Sequence, residues 1–246
     1  ERGCVAMTRP LIGILSMGVR YRAKSRMSPD SGISAPTLYD PQFSPTNYGF
    51  RSHRSAHDAL LKCGEYVSAS YVFTVDMDLE KFFDTVCHSK LIEILSRTIK
   101  DGRAISLIHK YLNSGVFYRM QERVEFIGDP QGGSLSSLLS NIILNELGKE
   151  PEKRGHLFVR YADVLVIFCE SRRSAQRTLD NLLPFIETKL FLKVNKEKPH
   201  VAYIRDIKFL SYIFGRSNGK CQFYIHGDSI KKMKSKIRGL ISRNNG

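Results

Sequence analysis

One acid set between two apolar runs constrains this chain most. Phe158-Val159-Arg160-Tyr161 leads to Ala162-Asp163, and Val164-Leu165-Val166-Ile167-Phe168 follows. Apolar runs on either side of a turn residue read as a buried hairpin with Asp163 near its tip. A carboxylate held between hydrophobic strands is costly unless a cation offsets it, and a divalent metal is the usual one. The plainer alternative is a hairpin whose Asp favours the turn.

Upstream, Tyr71-Val72-Phe73-Thr74-Val75-Asp76-Met77-Asp78 reads as a strand. Side chains alternate between strand faces, so Asp76 and Asp78 share one face while Tyr71, Phe73, Val75 and Met77 share the other. If this strand lies beside the hairpin, Asp78 and Asp163 converge with room for Mg²⁺. That ion prefers hard oxygen donors and commonly takes one or two carboxylates plus substrate phosphates. Two such ions would form a clamp for in-line phosphoryl or nucleotidyl transfer. A third segment, Gly128-Asp129-Pro130-Gln131-Gly132-Gly133-Ser134, opens a run with Leu138, Ile142 and Asn145 at helical spacing. A glycine-rich loop entering a helix can approach a base or phosphate closely, or can be a plain loop.

The chain carries 38 Lys and Arg against 24 Asp and Glu, a formal charge of +14, which points to a polyanionic partner. Its 246 residues and 42% hydrophobic content argue for one compact unit and against general disorder. Toward the C-terminus, Ile230, Met233, Ile237, Leu240 and Ile241 share one helical face, with Lys231, Lys232, Lys234, Lys236 and Arg238 around them. Such a basic amphipathic helix could meet a membrane, a protein partner or a phosphate backbone. The five cysteines are scattered and odd in number, which argues for reduced thiols in a cytoplasmic setting and against a zinc site. No apolar run approaches the roughly 18 residues of a membrane span, so no membrane partner is expected. The histidines have no metal-ligand spacing.

Taken together and in order, these segments resemble a reverse transcriptase of the group II intron-encoded (maturase) type. Tyr48-Gly49-Phe50-Arg51 through Ala59 is similar to the family's early fingers motif, and Asp76-Met77-Asp78 through Val86 to its first catalytic motif. Pro130-Gln131-Gly132-Gly133 with Leu139-Ser140-Asn141-Ile142 resembles the template and nucleotide loop. Arg160-Tyr161-Ala162-Asp163 resembles the second catalytic motif, and Leu192–Lys198 and Phe209–Phe214 the later palm motifs. The resemblance implies two Mg²⁺ ions held by Asp78 and Asp163 with the Leu79 carbonyl. It puts Phe83 under the incoming sugar and Gln131 against nucleotide and template base. Lys198 and Arg9 would approach the triphosphate. Phe209, Leu210 and Tyr212 would grip the primer end, and Tyr161, Arg51 and Arg54 would contact nucleic acid. Lys231, Lys232 and Lys234 would follow the primer–template backbone. Packing braces are the alternative reading of Arg51 and Arg54. The implied partners are intron RNA, an RNA template with a DNA primer, and deoxynucleoside triphosphates, with a homodimer as an open arrangement.

The departures carry as much information. The family's catalytic turn ends in two aspartates, and Val164 stands at the second. Valine ligates no metal, and a β-branched residue fits a tight turn poorly if φ is positive there. Ser52, Ser134, Ser137, Ser211, Asp129, Gly148 and Pro199 also replace the usual residues, which suggests relaxed constraint on polymerisation. From about Leu15 to Pro36 the expected helical run gives way to Arg-, Ser-, Met- and Gly-rich sequence. A restored reading-frame shift in the parent gene is our hypothesis. Translation of that stretch in its other frames tests it, and a result with no family-like helix rejects it.

The expected architecture is α/β (α+β): a right-hand polymerase palm with a mostly antiparallel sheet, incomplete fingers and the start of a thumb. Residues 1–70 would be irregular fingers, 71–228 palm with inserted fingers elements, and 229–246 the beginning of the thumb. Helices are expected over Ser55–Ser68, Ser89–Ile99, Arg103–Ser114 and Ser174–Leu190, the last kinked at Pro184. A short hairpin is expected near Val116–Ile127. Strands near Phe191–Val194, Val201–Tyr203, Phe209–Phe214 and Cys221–Ile225 would finish the sheet. Two activities compete on this reading. One is RNA-directed DNA polymerisation, impaired by Val164; the other is RNA binding in splicing, or a decayed copy, without polymerase chemistry.

Overall fold

The computed structural model describes residues 39–79, 82–113, 136–195 and 201–242. Arg9, the 15–36 stretch, the hairpin expected near Val116–Ile127, Gln131 with its loop, and Lys198 lie outside them. So does the side chain of Phe83, whose backbone lies in a short helix.

A 3₁₀ turn at Asp40–Gln42 precedes helix α1, Ala56–Ser68. Ser55 starts that helix with a reciprocal cap: its Oγ accepts from the Asp58 amide at 3.2 Å, and Asp58 Oδ2 accepts from the Ser55 amide at 2.8 Å. Strand β1, Phe73–Met77, leads to the short helix α2, Phe82–Thr85, then α3, His88–Thr98, and α4, Gly102–Leu112. The long helix α5, Ser136–Lys153, is followed by the hairpin of β2, Leu157–Tyr161, and β3, Val164–Cys169. Next come α6, Arg172–Lys189, β4, Val201–Tyr203, β5, Tyr212–Ser217, β6, Lys220–Ile225, and α7, Gly227–Ser242. Helix α6 runs on through Pro184.

The main sheet has the order β2-β3-β1-β4, with antiparallel pairing throughout. Strand alternation feeds two cores. Val75, Met77, Phe158, Leu165 and Ile167 point to a core closed by α3, α5 and α6, which supply Leu91, Leu95, Ile143, Leu147, Leu179 and Leu182. Val159, Val166 and Phe168 point to a second core, closed by Ala59, Cys63 and Val67 of α1 and by Phe209 and Phe214. Phe73 keeps to the first core, as its alternation predicts, whereas Tyr71 precedes the strand and packs against the second.

Two strand expectations are corrected. Phe191–Val194 is no strand, since Phe191 has φ of 55° and only Val194 makes a bridge, to Leu79. Phe209–Phe214 is split by a two-residue turn: Leu210 and Ser211 have φ of 49° and 75°, and the amides of Phe209 and Tyr212 each donate to the other's carbonyl at 2.9 Å. Positive φ at both central positions is the geometry of the tightest hairpin turn. The chain therefore doubles back before β5, and β5 with β6 forms a separate two-stranded sheet instead of finishing the first.

Candidate catalytic site

The register between β1 and β3 builds the site. Met77 pairs with Leu165 across the two strands. The ladder ends there: Asp78 is the next residue beyond β1, and Asp163 sits in the turn just before β3 begins at Val164. Neighbouring strands lie about 4.8 Å apart, so the two acidic residues arrive at one end of the sheet as near neighbours. On the other side of β1, the Asn195 amide donates to the Asp78 carbonyl at 3.0 Å, and Leu79 bridges Val194. In an antiparallel ladder, consecutive residues turn their backbone groups to alternate sides. Asp78 spends its carbonyl on Asn195, so the carbonyl of Leu79 faces the opposite side, toward β3. Asp78 and Leu79, at the end of β1, thus stand at the same end of the sheet as Asp163 of the β2–β3 turn.

The turn that carries Asp163 has only two residues between the paired Tyr161 and Val164. Its positive φ, 54°, falls on Ala162. Val164 is the first residue of β3 and lies outside the positive-φ set, so the turn strain expected there is absent. Valine is at home at a strand start. What it lacks is oxygen.

The face around this end is open. Asp78, Tyr161, Asp163 and Val164 are half-buried, as are Leu210 and Tyr212 of the neighbouring turn. Tyr161, Val164, Phe209, Leu210 and Tyr212 share the second core, so the structure brings the expected primer-end residues and the hairpin onto one sheet face. Phe209 is itself wholly buried, which leaves Leu210 and Tyr212 as the accessible members.

The donor set fits one hard cation. Asp78, Asp163 and the Leu79 carbonyl are the oxygen type that Mg²⁺ selects, and substrate phosphates and water usually supply the remainder. A second ion would find less, because Val164 brings no ligand. Among the described residues no group of three or more His, Cys, Asp or Glu side chains is placed to hold a metal unaided.

The family described as reverse transcriptase (RNA-dependent DNA polymerase) matches residues 6–214. The chain belongs to that family. Reverse transcriptases bind RNA templates and use divalent metal ions, and the family activity is RNA-directed DNA polymerisation. The group II intron-encoded protein LtrA of Lactococcus lactis subsp. cremoris is 38% identical over 117 residues, which is 48% of this chain and 19% of that protein. An uncharacterized 91 kDa protein in a cob intron of Schizosaccharomyces pombe is 37% identical over 115 residues, 47% of this chain and 14% of that protein. The protein YkfC of Escherichia coli is 27% identical over 210 residues, 69% of this chain and 54% of its own length. The chain therefore spans well under two thirds of these relatives. Among solved structures, telomerase from Candida albicans superposes with a TM-score of 0.59 at 13% identity, covering 87% of this chain and 39% of that one. Apo telomerase from Candida tropicalis gives 0.57 at 11% identity over 76% of this chain and 39% of its own. Both carry the right-hand polymerase fold, as this reverse transcriptase chain does.

One of the two expected arginine contacts needs revision. Arg51 is nearly inaccessible and its donors are spent within the protein: Nε reaches Asp40 Oδ1 at 2.8 Å, Nη1 the Ser44 carbonyl at 2.8 Å and the Asn47 carbonyl at 3.2 Å, and Nη2 the Asp40 carbonyl at 2.9 Å and Asp40 Oδ2 at 3.2 Å. The brace reading replaces the phosphate contact, because a guanidinium committed to these oxygens has no donor to offer. Arg54 lies 5.2 Å over the Tyr48 ring and donates to the Pro45 carbonyl, while remaining part-exposed. Lys231, Lys232 and Lys234 are exposed on α7.

The residues that escape sequence reasoning lie beneath the hairpin. Arg160 is 1% exposed, and its Nη1 donates to Asn141 Oδ1 and to the Ala162 carbonyl, both at 3.0 Å. Burial pushes its guanidinium down to about 9, with the nearby charge of Arg51 adding to the effect. Asn141 in turn donates to the Gly49 carbonyl at 2.9 Å. The one signal in the sequence is a charged residue inside an apolar run, with an Asn on an apolar helix upstream.

Proposed function

We propose that this chain is the polymerase part of a group II intron-encoded protein, extending a DNA primer on intron RNA or another RNA template with deoxynucleoside triphosphates. The observation that supports this reading is the antiparallel β1–β3 register, which ends with Met77 opposite Leu165 and so leaves Asp78 and Asp163 at the same end of the sheet. A bound divalent cation would supply charge neutralisation on the triphosphate and activation of the primer 3′-hydroxyl. Asp78 and Asp163 would fix where that charge sits, and Leu210 and Tyr212 would hold the primer end against the same face. Phe83 would sense the sugar, Gln131 the base pair, and Lys198 and Arg9 the phosphates. Lys231, Lys232 and Lys234 would bind backbone phosphates without sequence choice, which makes affinity fall steeply with salt. Residues 1–70 would serve as fingers, 71–228 as palm and 229–246 as thumb. A cytoplasmic setting is part of the proposal, in keeping with the free thiols Cys63, Cys87, Cys169 and Cys221.

Val164 favours a second reading for the chain as it stands: RNA binding in splicing, with polymerisation impaired. Primer extension on an RNA template separates the two. The expected result is near-background extension by the unaltered chain and a clear gain in Val164→Asp. Robust extension by the unaltered chain would contradict the impairment. Intron RNA binding that survives Asp163→Ala would favour the splicing role.

A further inference from the structure

The buried polar cluster below the hairpin has no role in the proposed chemistry. Among the described residues Arg160 is the only charged residue in the buried set. A buried cation is expensive, and its Nη2 reaches no acceptor among those residues. Apolar residues of similar volume would serve packing as well or better. Something other than packing therefore accounts for an arginine here.

Its side-chain hydrogen bonds join the turn to α5. Arg160 belongs to β2, and its pairing with Leu165 sends its side chain to the first-core face, opposite the face of Tyr161 and Val164. From below, Nη1 holds the carbonyl of Ala162, the residue with φ of 54° immediately before Asp163. The same nitrogen is held by Asn141 of α5, whose Nδ2 binds the Gly49 carbonyl. Gly49 lies so close that a Cβ there would stand 2.1 Å from the Ala162 nitrogen. The main chain locks the same segment to β2, with the Arg160 amide on the Thr46 carbonyl at 3.0 Å and the Tyr48 amide on the Arg160 carbonyl at 2.9 Å. Asn145, one helical turn beyond Asn141, accepts from the Ser44 amide at 3.1 Å and donates to the Gln42 carbonyl at 3.1 Å.

We propose that Arg160 and Asn141 are positioning residues for Asp163: the guanidinium clamps the Ala162 carbonyl, Asn141 ties that clamp to the Gly49 backbone, and together they set where the Asp163 carboxylate stands relative to Asp78. This inference rests on the reading of Asp78 and Asp163 as metal ligands. A left-handed alanine is an unfavourable conformation that persists where its surroundings over-determine it, and the clamp is that surrounding. Groups that orient a metal ligand typically change metal affinity by about 10- to 100-fold when altered.

The test uses the full 246-residue chain in a Val164→Asp background. Mn²⁺ binding is titrated by electron paramagnetic resonance, alongside thermal unfolding by circular dichroism. Arg160→Lys keeps the charge but ends one bond short of Nη1, the nitrogen that donates to both oxygens, and Asn141→Ala removes the tether. The expected result is a folded protein with Mn²⁺ affinity lowered about 10-fold or more in each, and further still in Arg160→Met. A folded Arg160→Lys or Asn141→Ala protein that binds Mn²⁺ as tightly as its parent would overturn the proposal. If one of the two fails to fold, the other decides, and Gly49→Ser, which presses on Ala162 directly, serves as a third. Asp78→Asn and Asp163→Asn are measured in parallel. Should those leave Mn²⁺ binding unchanged, it is the metal-ligand reading that fails; should they abolish it while the brace variants do not, only the positioning role fails.

Discussion

At the scale of single residues, backbone conformation and side-chain chemistry conflict at several left-handed positions, Ser211 and Phe191 among them. Ser211 has φ of 75° and Phe191 has φ of 55°. Left-handed backbone costs an ordinary L-residue roughly 1–2 kcal/mol, and glycine avoids most of that at the expense of unfolded-state entropy. Phe191 follows the last turn of α6, at the position where helices commonly stop on glycine, and the residue is 56% exposed, so packing does little to compensate. Ser211→Gly and Phe191→Gly are each expected to stabilise the fold by about 0.5–1 kcal/mol, read as a higher midpoint in urea unfolding at unchanged slope. A lower midpoint for either would mean that the side chain makes interactions outweighing the strain. Val164 differs in kind. It sits comfortably in its strand, so Val164→Asp is expected to change stability little, within about 1 kcal/mol, while restoring a metal-ligating oxygen. Under the proposed metal site, its lack of a carboxylate is a matter of chemistry and not of folding.

At the scale of elements, the segment that runs beside β2 matters as much as the strands it joins. Asn47 bridges Arg160 in parallel, and Gly49 touches the hairpin turn. Gly49→Ala must move backbone, because nothing flexible stands opposite, and is expected to destabilise by about 1–3 kcal/mol. Thermal unfolding measures it, and an unchanged midpoint would mean the turn is free to shift. Helix α7 makes a separate prediction. Replacing Lys231, Lys232 and Lys234 with Gln should weaken RNA binding and flatten its salt dependence, by about 0.7 in the log–log slope for each single-strand phosphate no longer neutralised. An unchanged slope would remove α7 from the binding surface. These same elements show where sequence is a good guide. Helices α1, α3 and α4 and the β2–β3 hairpin are legible because their apolar periodicity is local. Arg51 reads wrongly as a phosphate contact because its partners, Asp40 and the Ser44 carbonyl, are set by a turn that carries no periodic signal. The double-back at Leu210–Ser211 escapes sequence reasoning because neither residue advertises positive φ. The clamp of Arg160 is invisible for a related reason: its partner Asn141 comes from a helix 19 residues away in sequence.

At the scale of the molecule, the sheet divides labour between its faces. One face is closed by α3, α5 and α6 and holds the arginine clamp, while the other, toward α1 and the turn at Leu210, carries Tyr161, Val164 and Asp78 at its open end. That asymmetry suits the proposed site, which would be braced from below and accessible from above. The excess of 38 basic over 24 acidic residues suits a molecule built to hold nucleic acid along its surface. The central claim is that Asp78 and Asp163 share a divalent cation at that edge. Anomalous scattering from Mn²⁺ in crystals of the Val164→Asp protein, grown with a deoxynucleoside triphosphate, addresses it most directly. The account predicts a peak about 2.1 Å from a carboxylate oxygen of each residue; a structure in which the two carboxylates face different solvent regions, with manganese bound elsewhere, would contradict it.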